Sequence, residues 1–315
     1  MNRVCASPRA KVNLGLEILG RRADGLHEIR TVLQTIDLAD EMIVERAERI
    51  SLVVEGLYRV EAGPSNLVMQ AASALAARLP GLGARITLRK RIPAGAGLGG
   101  GSSDAAATLM ALDRLWGLDA DPGLLYELAR GLGADVPFFL YGGTCLAVGR
   151  GDEVLPLPDG PAWSLIVAWC GEGLSTREIY ASLPSPLTRP RIPSSMKGFT
   201  PVPPVRGAPG EGRSPDRGSA GVAPAASPPD VHNDLESAAF QRLPGLQALK
   251  ARLLESGAVA AAMTGSGSAV FGLYPSSEGL ERKAASLARG GVATFVCHTL
   301  SRDAYRRSLF ERSQT

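Results

Sequence analysis

The chain has 315 residues, 45% of them hydrophobic and 21% charged, enough apolar material for one large or two ordinary globular domains, which excludes a disordered or fibrous protein. Its 34 basic and 31 acidic residues leave a formal charge of +3, and only 5% of residues are aromatic, so neither phosphate neutralisation nor base stacking recommends a nucleic-acid partner. Cys5, Cys145, Cys170 and Cys297 lie far apart without a Cys-x-x-Cys pair, which argues against a zinc cluster or a disulfide framework and for reduced thiols. The first residues, MNRVCASPRAKVNL, lack the apolar core of a signal peptide, and no run of about 18 uncharged apolar residues occurs. A soluble, cytoplasmic protein with no membrane partner is expected.

From Lys11 to Ile18 the residues alternate, with Val12, Leu14, Leu16 and Ile18 on one face and Lys11, Asn13, Gly15 and Glu17 on the other, which predicts a half-buried strand. After Asp24-Gly25 a β-branched region through Ile29, Val32, Ile36, Ile43, Val44 and Leu52 to Val54 predicts several more strands. Asn66 to Leu79 reads as a helix ended by Pro80-Gly81, and Arg85 to Ile92 as an alternating strand. A glycine-rich loop, Pro93 to Ser103, leads into a helix with Ala105, Leu109, Leu112 and Trp116 on one face and Gly117 at its end. A second helix is expected over Pro122 to Leu132, then an apolar strand from Phe138.

The first domain is expected to close near Pro156 to Pro161, giving units over 1–158 and 159–315. The second unit reads as strand Trp163–Trp169, a helix around Asp234–Ser256, strand Ala269–Tyr274, another helix and strand Ala293–Leu300. It is interrupted by residues 189–230, which hold ten of the chain's 23 prolines and six glycines and too few apolar groups to repay ordering. A mobile surface insertion is expected there.

The loop Pro93-Ala94-Gly95-Ala96-Gly97-Leu98-Gly99-Gly100-Gly101-Ser102-Ser103 stands between a strand and a helix. Glycines at that junction permit positive φ and bring successive N–H groups close to an anion, and the helix N-terminus adds partial positive charge. The helix terminus alone contributes about 0.3 to 2 kcal/mol, whereas micromolar nucleotide binding requires about 8 kcal/mol. Several charge-assisted amide bonds of about 1.5 to 3 kcal/mol each must therefore converge. The plain reading is a flexible loop with Ser102 or Ser103 capping the helix. Gly95-x-Gly97-x-x-Gly100 is formally the dinucleotide fingerprint, but it lies mid-chain after Pro93, with no strand ending in an acidic residue about 20 positions on. A Walker-A loop is absent, since no Gly-Lys-Ser/Thr follows. Met263-Thr-Gly265-Ser266-Gly-Ser268 is a second small-residue loop. Asp135, between Gly133 and Pro137, reads by default as a turn aspartate, and Lys11 and Asn13 as solvent-facing.

Together these segments resemble the GHMP kinase superfamily of small-molecule kinases. The motifs are Ala10-Lys11-Val12-Asn13-Leu14, Arg21-Arg22-Ala-Asp-Gly25-x-His27-Glu28, Asn66-Leu67-Val68, Gly95 to Ser103, Leu132-Gly-Ala-Asp135-Val-Pro137, Ser175-Thr176, Asn233-Asp234-Leu-Glu236 and Met263-Thr-Gly-Ser-Gly267. They cover nearly the whole chain outside 189–230. The resemblance implies an α+β, two-domain fold, with an N-terminal ribosomal-protein-S5-like nucleotide-binding domain and a C-terminal ferredoxin-like domain. It implies transfer of the γ-phosphoryl of ATP to the 2-hydroxyl of a cytidylylated methylerythritol in the non-mevalonate isoprenoid pathway. Lys11 and Asp135 match the family's catalytic pair, and Asn66 joins residues 93–103 in holding ATP, with Mg²⁺ carried on the nucleotide and no carboxylate ligand for it identifiable. Asn13, His27, Thr176, Tyr180, Gly265 and Ser266 match substrate-binding positions, His27 reading the cytosine and Tyr180 stacking on it. Leu26 departs from the tyrosine usual before that histidine, and an aromatic's stacking is commonly about 1 to 3 kcal/mol. Homoserine or mevalonate kinases would share the phosphate loop but not the Arg21-to-His27 and Gly133-to-Pro137 segments. A nucleotide-binding regulator that no longer transfers phosphate is the reading from another class, against which the presence of both Lys11 and Asp135 counts.

Overall fold

The computed structural model describes residues 2–78, 81–183 and 229–310. The first half runs β1 (Arg3–Ala6), β2 (Arg9–Arg21), β3 (His27–Ala39), β4 (Glu41–Ala47), β5 (Ser51–Gly56), α1 (Leu67–Ala76), β6 (Gly83–Lys90), α2 (Gly100–Trp116), α3 (Pro122–Leu132), α4 (Phe138–Tyr141), β7 (Thr144–Gly149) and β8 (Glu153–Pro156). The second runs β9 (Ser164–Trp169), α5 (Thr176–Ala181), β10 (His232–Asn233), α6 (Glu236–Arg242), α7 (Gly245–Glu255), β11 (Ala260–Met263), β12 (Val270–Tyr274), α8 (Leu280–Leu287), β13 (Ala293–His298) and α9 (Arg302–Leu309). The fold is α+β. No helix among the described residues is long and apolar enough to cross a membrane, and all four cysteines are free.

Among the described residues three sheets form, in orders β1-β4-β6-β5, β10-β2-β3-β7-β8 and β11-β12-β9-β13. Val44, Ile86 and Leu88 of the first share a core with Ala71 and Leu75 of α1 and Leu109 and Leu112 of α2. A different core joins the other two sheets: Val12 and Ile36 meet Leu165, Val167, Phe271 and Leu273. Ile92, Ala96 and Leu98 enter this same core, so the glycine-rich loop is nailed into the seam between the sheets. Burying one leucine contributes about 1.5 to 3 kcal/mol. The loop's small residues are thereby held against the rigid body instead of trailing in solvent.

Several expectations are corrected. β2 is not half-buried: Lys11, Asn13 and Glu17 are each 2% exposed. Register shifts interrupt its pairing with β3, Val12 enters one core while Leu16 and Ile18 enter another, and the small-residue loops cover the polar side. No strand begins at Phe138. Residues 138–141 form α4, with Phe138 and Phe139 both fully buried and their rings 4.9 Å apart. A short apolar run has no period to separate helix from strand, and the strand starts only after Gly142 and Gly143 turn the chain at positive φ. The helix expected over Asp234–Ser256 is two helices, broken where Pro244 removes a donor and disfavours helical geometry at Leu243. The first helix closes at Ala77, with Leu79 and Pro80 outside the described residues. So does the insertion expected over 189–230, save residues 229 and 230. Helix α9 places Tyr305 and Leu309 in the first core, and the Tyr305 hydroxyl donates to the Phe139 carbonyl at 2.5 Å.

Candidate active site

The glycine-rich loop is pinned by its carbonyls. Lys11 N–H donates to Leu98 O and Ala269 N–H to Ala96 O, both at 3.0 Å, and the Thr264 hydroxyl lies 3.1 Å from Gly97 O. Gly97 has φ +79°, and a Cβ there would run into the Thr264 carbonyl oxygen. Only glycine allows the two small-residue loops to approach this closely. Ser102 and Ser103 do not cap α2, because the helix begins at Gly100; its N-cap is Gly99, at φ 71°, and no side chain caps it. The first-turn amides, which a helix cannot satisfy internally, are left for an incoming acceptor. Ser103 Oγ is buried with no hydrogen-bond partner among the described residues. Asn66 caps α1, accepting from Val68 N–H, and a Cβ on Gly101 would lie 3.7 Å from the side chain of Leu67 beside it. Pro93 is buried and Ala94 and Gly95 are exposed at the loop's entry.

Lys11, from β2, and Asp135, from the turn after α3, meet beside this loop with Nζ and Oδ2 3.5 Å apart. Lys11 is buried, whereas Asp135 is 37% exposed, so the carboxylate is the member open to an incoming group. Among the described residues that carboxylate bonds none of the turn amides, which separates Asp135 from an ordinary turn aspartate. Lys11 Nζ also donates to Asn13 Oδ1 at 2.7 Å. That oxygen further accepts from Gly265 N–H at 2.8 Å and faces the Thr264 hydroxyl at 3.1 Å, while Asn13 Nδ2 donates to Thr31 Oγ1 at 2.8 Å. Asn13 is thus a buried hub fixing the lysine to the second loop, neither solvent-facing nor free.

The remaining sequence-predicted residues continue from that hub. Ser266, next to Gly265, shares a 2.7 Å hydrogen bond with Thr176, and α5 carries Thr176 and Tyr180. The Tyr180 ring is 5.1 Å from that of His27, tilted by 38°. Burial pushes the Tyr180 phenol up, and the negative charge of Asp135 adds to this. Burial, with Arg21 nearby, holds the His27 imidazole below its ordinary value, favouring the neutral ring. Leu26 is 48% exposed beside it.

Sequence reasoning missed a buried group beneath the glycine-rich loop. Asp40, Lys90 and Asp104 are at most 3% exposed, and Lys90 Nζ bonds Asp40 Oδ2 and, at 2.7 Å, Asp104 Oδ2. Burial pushes the Asp104 carboxyl up to about 7 against the opposing pull of Lys90, with Asp40 reinforcing it. For Lys90 burial acts downward, and the two carboxylates outweigh it to raise the ammonium. A signal did exist: Lys90 falls in phase with the buried Ile86 and Leu88 of β6. Thr31 was likewise not singled out, and Asn233, quoted in the Asn233-to-Glu236 motif without a role, donates through Nδ2 to Met263 O and Gly265 O. Among the described residues no three His, Cys, Asp or Glu side chains converge to hold a metal.

A family model described as GHMP kinases N terminal domain matches residues 66–143, and one described as GHMP kinases C terminal matches 226–293. The chain is 40% identical over 293 residues to 4-diphosphocytidyl-2-C-methyl-D-erythritol kinase of Moorella thermoacetica, covering 92% of this chain and 96% of that one. It is 38% identical over 312 residues to the enzyme of the same name from Solibacter usitatus, covering 97% and 91%. Among solved structures it is similar to a crystal structure of 4-(cytidine 5'-diphospho)-2C-methyl-D-erythritol kinase, with TM-score 0.71, 35% identity and coverage of 94% and 98%.

Proposed function

Because the chain belongs to the 4-diphosphocytidyl-2-C-methyl-D-erythritol kinases of the GHMP kinase family, we propose that it phosphorylates the 2-hydroxyl of 4-diphosphocytidyl-2-C-methyl-D-erythritol from ATP. The products are the 2-phosphate and ADP, in the non-mevalonate route to isoprenoids. The observation that carries this reading is the 3.5 Å contact of buried Lys11 with half-open Asp135 at the mouth of the glycine-rich loop.

The acceptor is a tertiary alcohol, a poor nucleophile, and the Asp135 carboxylate takes its proton as the oxygen attacks the γ-phosphorus. General-base help of this kind is worth about 10² to 10⁴ in rate. Lys11, held by Asn13, orients Asp135 and offsets charge gathering on the attacking oxygen. The first-turn amides of α2 and the backbone of residues 93–103 receive the triphosphate, with Asn66 at its border. Ser103, whose buried hydroxyl lacks a partner among the described residues, fits a nucleotide-borne Mg²⁺, with Ser102 beside it; that ion would neutralise charge on the phosphates. Thr176, Gly265 and Ser266 line the acceptor's sugar-alcohol end, and neutral His27 with Tyr180 takes the cytosine.

The test is ADP release by the purified protein with Mg-ATP and the cytidylylated acceptor. Turnover with homoserine or mevalonate but not with this acceptor would overturn the assignment.

A further inference from the structure

Asp40, Lys90 and Asp104 touch neither the reacting pair nor the acceptor wall, yet they bracket the phosphate loop. At its entry Asp40 Oδ1 accepts from the amides of Arg91 and, at 2.8 Å, Ile92, the last residues before Pro93. Its other oxygen bonds Lys90. At the exit the same ammonium holds Asp104, in the first turns of α2, and a Cβ on Gly100 would lie only 3.3 Å from Lys90 Nζ. One ammonium therefore fixes both the strand that enters the loop and the helix that leaves it.

Two buried carboxylates sharing one cation is a poor device for stability, because desolvation offsets most of the attraction and apolar side chains of similar volume commonly do as well or better. Its value is geometric: it defines the spacing between the ends of a segment whose glycines impose no conformation of their own.

We propose that Asp104 is a positioning residue for phosphoryl transfer, acting through Lys90 to set the amide cradle of residues 93–103 for the triphosphate. This rests on the reading that the loop receives ATP. A cradle displaced by about 1 Å can lose about a hundredfold in effect, so even partial slackening is measurable.

The test compares the full chain with Asp104→Ala and Asp104→Asn by calorimetric Mg-ATP binding without acceptor, steady-state KM values for both substrates, and amide hydrogen exchange. Asp104→Ala should weaken Mg-ATP binding about tenfold or more, leave the acceptor KM unchanged and speed exchange at 95–102. Asp104→Asn, which still accepts from Lys90, should restore binding. If alanine does not fold, Asp104→Leu, of similar volume and without an acceptor, reads the same loss. Nucleotide affinity and loop exchange like wild type in the apolar variant, or equal losses in both KM values, would overturn the proposal. Wild-type protein failing to bind Mg-ATP would overturn the underlying reading instead, and this inference with it.

Discussion

Replacing Asp135 with asparagine keeps the size of the side chain and removes its capacity to accept a proton. The structure separates two consequences. At 3.5 Å from Lys11 and an effective dielectric of about 20, the lost attraction is about 5 kcal/mol before solvent is considered. The carboxylate is 37% exposed, however, so water screens much of this, and Lys11 retains Asn13 as a partner. The expected fall in stability is about 1 to 3 kcal/mol, between the values for exposed and buried pairs. The kinetic loss is separate: removing a general base should lower kcat by about a hundredfold to ten-thousandfold, about 3 to 5 kcal/mol in barrier. ADP release in single-turnover experiments at saturating substrates reads the chemical step, while calorimetry reads ATP affinity, expected to stay within about twofold because the amide cradle does not include Asp135. A folded Asp135→Asn protein turning over near the wild-type rate would refute the base role.

Gly97→Ala should weaken ATP binding about tenfold and lower Tm, because alanine at φ +79° costs about 1 to 2 kcal/mol and its methyl meets the Thr264 carbonyl; wild-type affinity by calorimetry would show that the contact between the loops does not matter. Tyr305→Phe leaves the Phe139 carbonyl without its donor and should cost about 1 to 3 kcal/mol in urea unfolding with little change in kcat. The His27 imidazole is held below its ordinary value, so it stays neutral as pH falls to about 6.5 and charges only lower. The acceptor KM should therefore be flat from pH 8 to about 6.5 and rise below that in wild type but not in His27→Asn, whereas a rise centred above pH 6.5 would contradict the neutral-ring reading.

Local order by itself marked a candidate anion-binding loop, and the chemistry became legible through the resemblance of the ordered motifs to the GHMP kinases. Gly95, Gly97 and Gly99 between β6 and α2 take positive φ, and α2 closes at Gly117 in the left-handed conformation, since capping and φ preferences act within a few residues. The burial of Lys11 and Asn13 was not legible. Polar residues on the minor face of an alternating strand read as solvent-facing unless something covers them, and the covering loop at 263–266 lies about 250 positions away in sequence, as the Asn13–Thr264 hydrogen bond records. Phe138 to Tyr141 could have been strand or helix until the aromatic core and the two following glycines decided it. The tie between Asp40, Lys90 and Asp104 spans three elements, and charge neutralisation across such distances depends on which side chains the fold desolvates together. Short-range conformational preference is written residue by residue; burial and ionic partnership belong to the packed chain, and packing turned a flexible-looking glycine run into a rigid cradle beside a lysine and an aspartate.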